Sequence, residues 1–144
     1  MPKIVKIFLV SLLVVVSVVF LNSDKLGSIK AQSGACDSTV YPSSYQDGTN
    51  THVITVNNIG SETIKWIQVV RPDDRVNIDS ASSNGFSVDY SASNVILSQG
   101  SLSSSSAVDV TVNTTMSGLS GDQTWGVNAS INEDGSSYFN GSCR

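Results

Sequence analysis

One histidine and two cysteines are the side chains of this 144-residue chain best suited to imidazole or thiolate chemistry near neutral pH. A Cys–His pair would need Cys36 as a free thiolate, His52 within reach and an Asn or Asp to orient the ring. His52 instead opens the alternating run "THVITVN", where packing accounts for it without a site. Zinc takes about four Cys, His or carboxylate ligands, and the sequence offers no clustered set. Carboxylates suit a hard cation better, and two pairs fall in turn signals, Asp73–Asp74 and Glu133–Asp134; Ca²⁺ is the ion they would hold. "NEDGSS" matches a calcium loop only at Asn132, Asp134 and Gly135 and lacks the closing Glu. A hairpin turn explains Asp134-Gly135 equally well, because such turns need positive φ.

Glycoside hydrolysis would want two acids facing across a cleft, with aromatics to stack on sugar. The acids are not arranged for it, although Tyr41, Tyr45, Tyr138 and Phe139 are available for stacking. Trp66 and Trp125 fall on alternating faces that read as buried, so they belong to packing. No catalytic, cofactor-binding or metal residue is therefore assigned, and the expectation is a protein that is not an enzyme. Three N-glycosylation sequons begin at Asn113, Asn128 and Asn140 and would mark surface positions in a host that glycosylates exported chains.

The N-terminus speaks to destination. Lys3 and Lys6 precede Ile7 to Leu21, "IFLVSLLVVVSVVFL", a run of fifteen apolar and serine residues. As a helix this spans roughly 22 Å, short of the ~30 Å hydrocarbon core, so it reads as a signal-peptide core. Counting from Ile4, with Lys6 snorkelling, reaches eighteen residues and keeps a retained membrane anchor open. Small residues before a scissile bond occur at Ala31 and Ala35. Cutting after Ala35 would expose Cys36 for lipidation. Ser33 stands where a lipobox has Leu, however, and fourteen residues separate Leu21 from Cys36. The expected division is a signal peptide over 1–31 and one domain over 32–144.

Charge and cysteine count bound the exported part. The whole chain is formally −4; without Lys3, Lys6, Lys25, Lys30 and Asp24 it keeps four basic and eleven acidic residues, −7. Such acidity excludes nucleic acid as a partner and supplies no polybasic patch for anionic lipid. A membrane partner follows only if the N-terminal segment is uncleaved. Two cysteines in an oxidising compartment pair, so Cys36 and Cys143 are expected to form a disulfide.

Beyond Cys36 the apolar residues follow a period of two. His52, Ile54 and Val56 share a face; Ile64, Trp66 and Val70 lie on one side of the next run, with Ile67 and Val69 on the other. "RPDDR" turns the chain. A short strand at Val76 and Ile78, an alternation at Phe86, Val88 and Tyr90, and a brief "NVILSQG" strand follow. Val108, Val110 and Val112 alternate cleanly, as do Trp125, Val127, Ala129 and Ile131; "NEDGSS" then leads to a last strand through Tyr138. The expectation is an all-β, antiparallel sandwich of seven to nine strands after an N-terminal apolar signal helix.

"ITVNNIGSETIKWIQVVRP", "SQGSLSSSSAVDVTVN" and "GDQTWGVNASINEDGS", spread over roughly residues 50–136, resemble immunoglobulin-like sandwich domains of bacterial and archaeal cell-surface proteins. The resemblance implies a structural or adhesive role, secreted or at the cell surface, with other surface proteins, envelope or glycans as partners. Having neither repeat nor sorting signal, the chain departs from those domains and is not expected to be wall-linked. Two other functions stay open. One is a filament subunit, assembled through the N-terminal helix or by donating the strand Thr39 to Asn50, although the run from Ile7 to Leu21 lacks a pilin-type Glu. The other is a carbohydrate-binding domain.

Overall fold

The computed structural model describes residues 36–136 and Cys143. The signal segment at 1–31, the Ala35 cleavage position, Tyr138, Phe139 and the Asn140 sequon lie outside the described residues.

Alternation in the sequence becomes ten strands: β1 (Cys36–Tyr41), β2 (Ser44–Tyr45), β3 (Gly48–Asn58), β4 (Trp66–Val70), β5 (Val76–Ser83), β6 (Ser87–Tyr90), β7 (Asn94–Ser98), β8 (Ala107–Met116), β9 (Gly121–Asp122) and β10 (Gly126–Ser130). The first sheet has the order β1-β3-β8-β5 and the second the order β10-β4-β7-β6, while β2 and β9 form a two-stranded patch. Every pairing between these strands is antiparallel. The fold is an all-β sandwich.

One face of each sheet builds the core. Ile54, Val56, Val76, Val110 and Val112 from the first sheet, and Ile67, Val69, Val95, Leu97 and Val127 from the second, are fully buried. Each such side chain contributes about 1.5–3 kcal/mol relative to leaving it in water. The faces read for β3 and β4 hold: His52, Ile54 and Val56 point inward together, as do Ile67 and Val69.

Strand β5 runs further than Val76 and Ile78 indicate. It continues to Ser83, with a register shift between Ile78 and Ser80, because β8 offers a full row of backbone partners. The bulge keeps both Asp79 and Ser80 on the outward side, so that Ala81 rather than Ser80 faces the core and Ser82 faces outward again. The segment Thr39 to Asn50, considered above for donation to another copy, pairs inside this chain. Thr39–Tyr41 lies against Val53–Thr55, and Gly48–Asn50 against Thr114–Met116.

Cys36 and Cys143 are joined in a disulfide, with Cα atoms 4.6 Å apart. Cys36 starts β1 in the first sheet, whereas Cys143 donates its backbone N–H to Val127 O of β10 at 2.8 Å. The bond therefore ties one sheet to the other.

Candidate functional site

The single histidine is fully buried, its ring tilted against Tyr45 with centroids 4.1 Å apart and 6.0 Å from the Trp125 ring. Its Nδ1 lies 2.8 Å from Pro42 O. A carbonyl only accepts, so Nδ1 carries the hydrogen and Nε2 is the acceptor of a neutral ring. Burial holds the His52 pKa below its ordinary value, against a smaller upward pull from Pro42 O, and burial likewise raises that of the Tyr45 hydroxyl. His52 Nε2, Tyr45 Oη, Thr114 Oγ1 and Trp125 Nε1 have no hydrogen-bond partner among the described residues. With Cys36 locked in a disulfide, no Cys–His pair exists.

The acid pairs are engaged locally. Asp73 accepts from Arg75 Nε at 2.9 Å and Nη2 at 3.0 Å, and the guanidinium holds its carboxyl far below the usual range. The Ser136 side chain, and after it the Ser136 N–H donating to Asp134 Oδ1 at 2.9 Å, lower the Asp134 pKa, and Glu133 meets Lys65 at 3.3 Å. Among the described residues, no three His, Cys, Asp or Glu side chains gather as a metal site would need.

Two sequons sit inside strands. Asn113 accepts from Thr51 Oγ1 and donates to Ser80 Oγ, and Thr115 donates to Asp79. Asn128 donates to Gln68 Oε1, and Ser130 is fully buried.

The outward face of the first sheet is where polar chemistry concentrates. Register sets five rows across its strands: Asp37–Asn57–Ala107, Thr39–Thr55–Asp109, Tyr41–Val53–Thr111–Ser82, Thr51–Asn113–Ser80 and Thr49–Thr115–Asn77. Many of these side chains bond across the strands. Thr51 Oγ1 reaches Asn113 Oδ1 at 2.7 Å, and Asn113 Nδ2 reaches Ser80 Oγ at 2.8 Å. Thr55 Oγ1 donates to Asp109 Oδ1 at 2.6 Å, and Thr115 Oγ1 to Asp79 Oδ2 at 2.7 Å. Such bonds fix the orientation of each hydroxyl and carboxamide before any ligand arrives.

Aromatic surface stands at the edge of this ladder. Tyr41 is 80% exposed beside the half-buried Val53 of the neighbouring strand. Val40 packs against the core, so the alternation of β1 turns Tyr41 outward. Of the tyrosines proposed from sequence for sugar stacking, the structure exposes Tyr41 and buries Tyr45. Sequence reasoning named Tyr41 but missed the ladder, whose partners lie 33 to 62 residues apart.

The five rows cover roughly 27 Å along the strands and roughly 14 Å across them at ordinary strand spacings. Asp37, Asp79 and Asp109 are the charged groups of this face. The described cations are employed elsewhere: Lys65 on Glu133, Arg75 on Asp73, and Arg71 on the carbonyls of Asp74 and Val76.

The outward face of the first sheet is thus an extended, pre-oriented array of hydroxyl, carboxamide and carboxylate groups with an edge aromatic. No protein-family model matches the chain, and no curated protein matches it. Among solved structures it is similar to the chitin-binding domain of Chi18aC from Streptomyces coelicolor, at 16% identity and TM-score 0.43, covering 63% of this chain and 90% of that one. A chitin-binding domain of a chitinase from Pyrococcus furiosus gives 14% and 0.42, with 70% and 95% covered. The CBM3b module of the major scaffoldin subunit ScaA from Acetivibrio cellulolyticus gives 12% and 0.36, with 69% and 91% covered.

Proposed function

We propose that this is a non-catalytic carbohydrate-binding domain of an exported protein, which lays an extended polysaccharide across the outward face of its first sheet. The observation that carries the reading is Tyr41, 80% exposed at the edge of a ladder whose polar groups are already oriented. Sugar rings present an apolar C–H face and a rim of hydroxyls that both donate and accept. Tyr41 and Val53 suit the first, and the Thr, Asn and Ser side chains suit the second.

Charge narrows the class. Among the described residues the face bears three carboxylates and no cation, so it repels sulfated or uronate-rich polymers and tolerates neutral ones. Binding rather than catalysis is supported by the position of His52, buried between the sheets and away from this face. The broader adhesive role implied by the resemblance to surface sandwich domains fits, since holding a glycan is one way to adhere.

Retention of the full chain on insoluble neutral polysaccharides, followed by titration with soluble oligomers, tests the proposal. Tyr41→Ala should weaken affinity about tenfold or more, a loss of about 1.4 kcal/mol, with the urea midpoint unchanged. Equal retention of the variant and the parent chain would sink the reading.

A further inference from the structure

At the disulfide end the face does not stop flat. Asp37, Asn57 and Ala107, its first row, form one side of a cleft of about 420 Å³, and Ile59, Ser105 and Ser106 form the other. Asn58 braces the floor. Its Nδ2 donates to Glu62 O at 2.7 Å and Leu102 O at 2.9 Å, and its Oδ1 accepts Gly60 N–H at 3.0 Å. Backbone bonds from Asn58 N to Ser106 O and from Ser105 N to Asn58 O, at 2.9 and 2.8 Å, pin the serine wall to that floor. Ser105 holds φ of 60°, a left-handed conformation uncommon for a residue that carries a Cβ.

The lining differs from the ladder in a way that bears on ligands. On the face, many polar side chains bond to one another. In the cleft, the side chains of Asp37, Asn57, Ser105 and Ser106 make no such bonds among the described residues, so their donors and acceptors are available. Ile59 stands over them 65% exposed, with Ala107 opposite. An exposed isoleucine beside free carboxamide, hydroxyl and carboxylate groups suits a ligand that is apolar at its tip and polar just behind it.

We infer that this cleft is a subsite for one acetamido-bearing sugar unit of the polysaccharide laid along the face. The inference rests on the polysaccharide reading and names the polymer as an acylated one. The acyl methyl packs on Ile59 and Ala107. Asn57 and the two serines bond the acyl oxygen and neighbouring hydroxyls, and Asp37 accepts from an amide N–H or a hydroxyl. A volume of 420 Å³ lies at the small end of ligand pockets and fits a single substituted sugar rather than a folded chain.

Calorimetric titration of the full chain with hexamers of N-acetylglucosamine and of glucose tests it, since the two share a backbone and differ in the acetamido group. The acylated hexamer should bind at least tenfold tighter. Ile59→Ser, at an exposed position that leaves folding intact, should erase that preference and leave glucose-hexamer binding alone. Tyr41→Ala should weaken both hexamers alike. Equal affinity for the two hexamers, or a preference that survives Ile59→Ser, overturns the subsite while leaving the polysaccharide face standing. Failure of the parent chain to bind either hexamer or any neutral polysaccharide overturns the face and the subsite together.

Discussion

The two sheets of this sandwich treat their outward faces differently. On the second sheet the outward aromatic is Trp66, and it is 7% exposed because the turn after β10 folds over it. Gly135 makes that cover possible: at φ of 71° a Cβ would stand 2.6 Å from Trp66 Cε2. On the first sheet the outward aromatic is Tyr41, and it is 80% exposed. Nothing in the strand geometry forces that contrast, since both residues sit on ordinary antiparallel strands. What differs is the supply of covering chain. The turn Ile131–Ser136 is held over Trp66 by the Ser130, Asn132 and Asp134 hydrogen bonds to Ser136 and by Lys65–Glu133. The first sheet instead invests its polar residues in bonds along its own surface, which stiffen the face without covering it.

Separating the sheets should damage both faces, and it is the largest effect expected. The Cys36–Cys143 bond is the covalent link between them, closing a loop with a sequence separation of 107. The Cys36→Ser/Cys143→Ser double variant should lose about 2–5 kcal/mol of unfolding free energy in urea, and a reducing agent should do the same to the parent chain. An unchanged midpoint in both experiments would show that the apolar core alone holds the sheets in register.

Gly135→Ala acts on one face only. The added Cβ meets backbone strain at positive φ and the Trp66 ring at once, so about 1–3 kcal/mol of stability should go. Trp66 fluorescence should shift toward that of a wetter indole while polysaccharide affinity stays within twofold. Weakened glycan binding would mean that the second sheet, not the first, carries the ligand.

Local chemistry in the sequence reached part of this. Val108, Val110 and Val112 announce a half-buried strand, and the structure gives β8. Asp134-Gly135 announces a turn, yet nothing in that dipeptide says which ring it will cover. The far half of β5 was hidden for a related reason. Asp79 to Ser83 lacks apolar alternation, and its strand character comes from pairing with β8. The ladder is the extreme case, because Thr51, Asn113 and Ser80 meet only once the β3–β8–β5 register is set. Tyr41 and Tyr45, four residues apart, look alike in sequence and part company in the fold: one faces solvent and the other is buried with its ring tilted against His52.

That buried ring gives the smallest effect, nil at neutral pH, and it separates the interior from the solvent-facing ladder. His52 has a folded-state pKa below its unfolded value of 6.5, chiefly through burial. A depressed pKa means that the unfolded chain binds the proton first. The stability tied to neutral His52 is therefore full above about pH 6.5 and drains away as the pH falls through the lower folded value. Protonation would place a second ring N–H at Nε2, which has no hydrogen-bond partner among the described residues, beside Tyr45 and Trp125. Urea midpoints measured from pH 7.5 downward should stay level and then decline below about pH 6.5. His52→Gln keeps an N–H for Pro42 O without a titrating ring, and it should flatten the decline in the upper part of that range. If the variant keeps the full slope there, the acid sensitivity belongs to the carboxylates of the outer face, and the contrast between a titratable interior and an inert ladder fails.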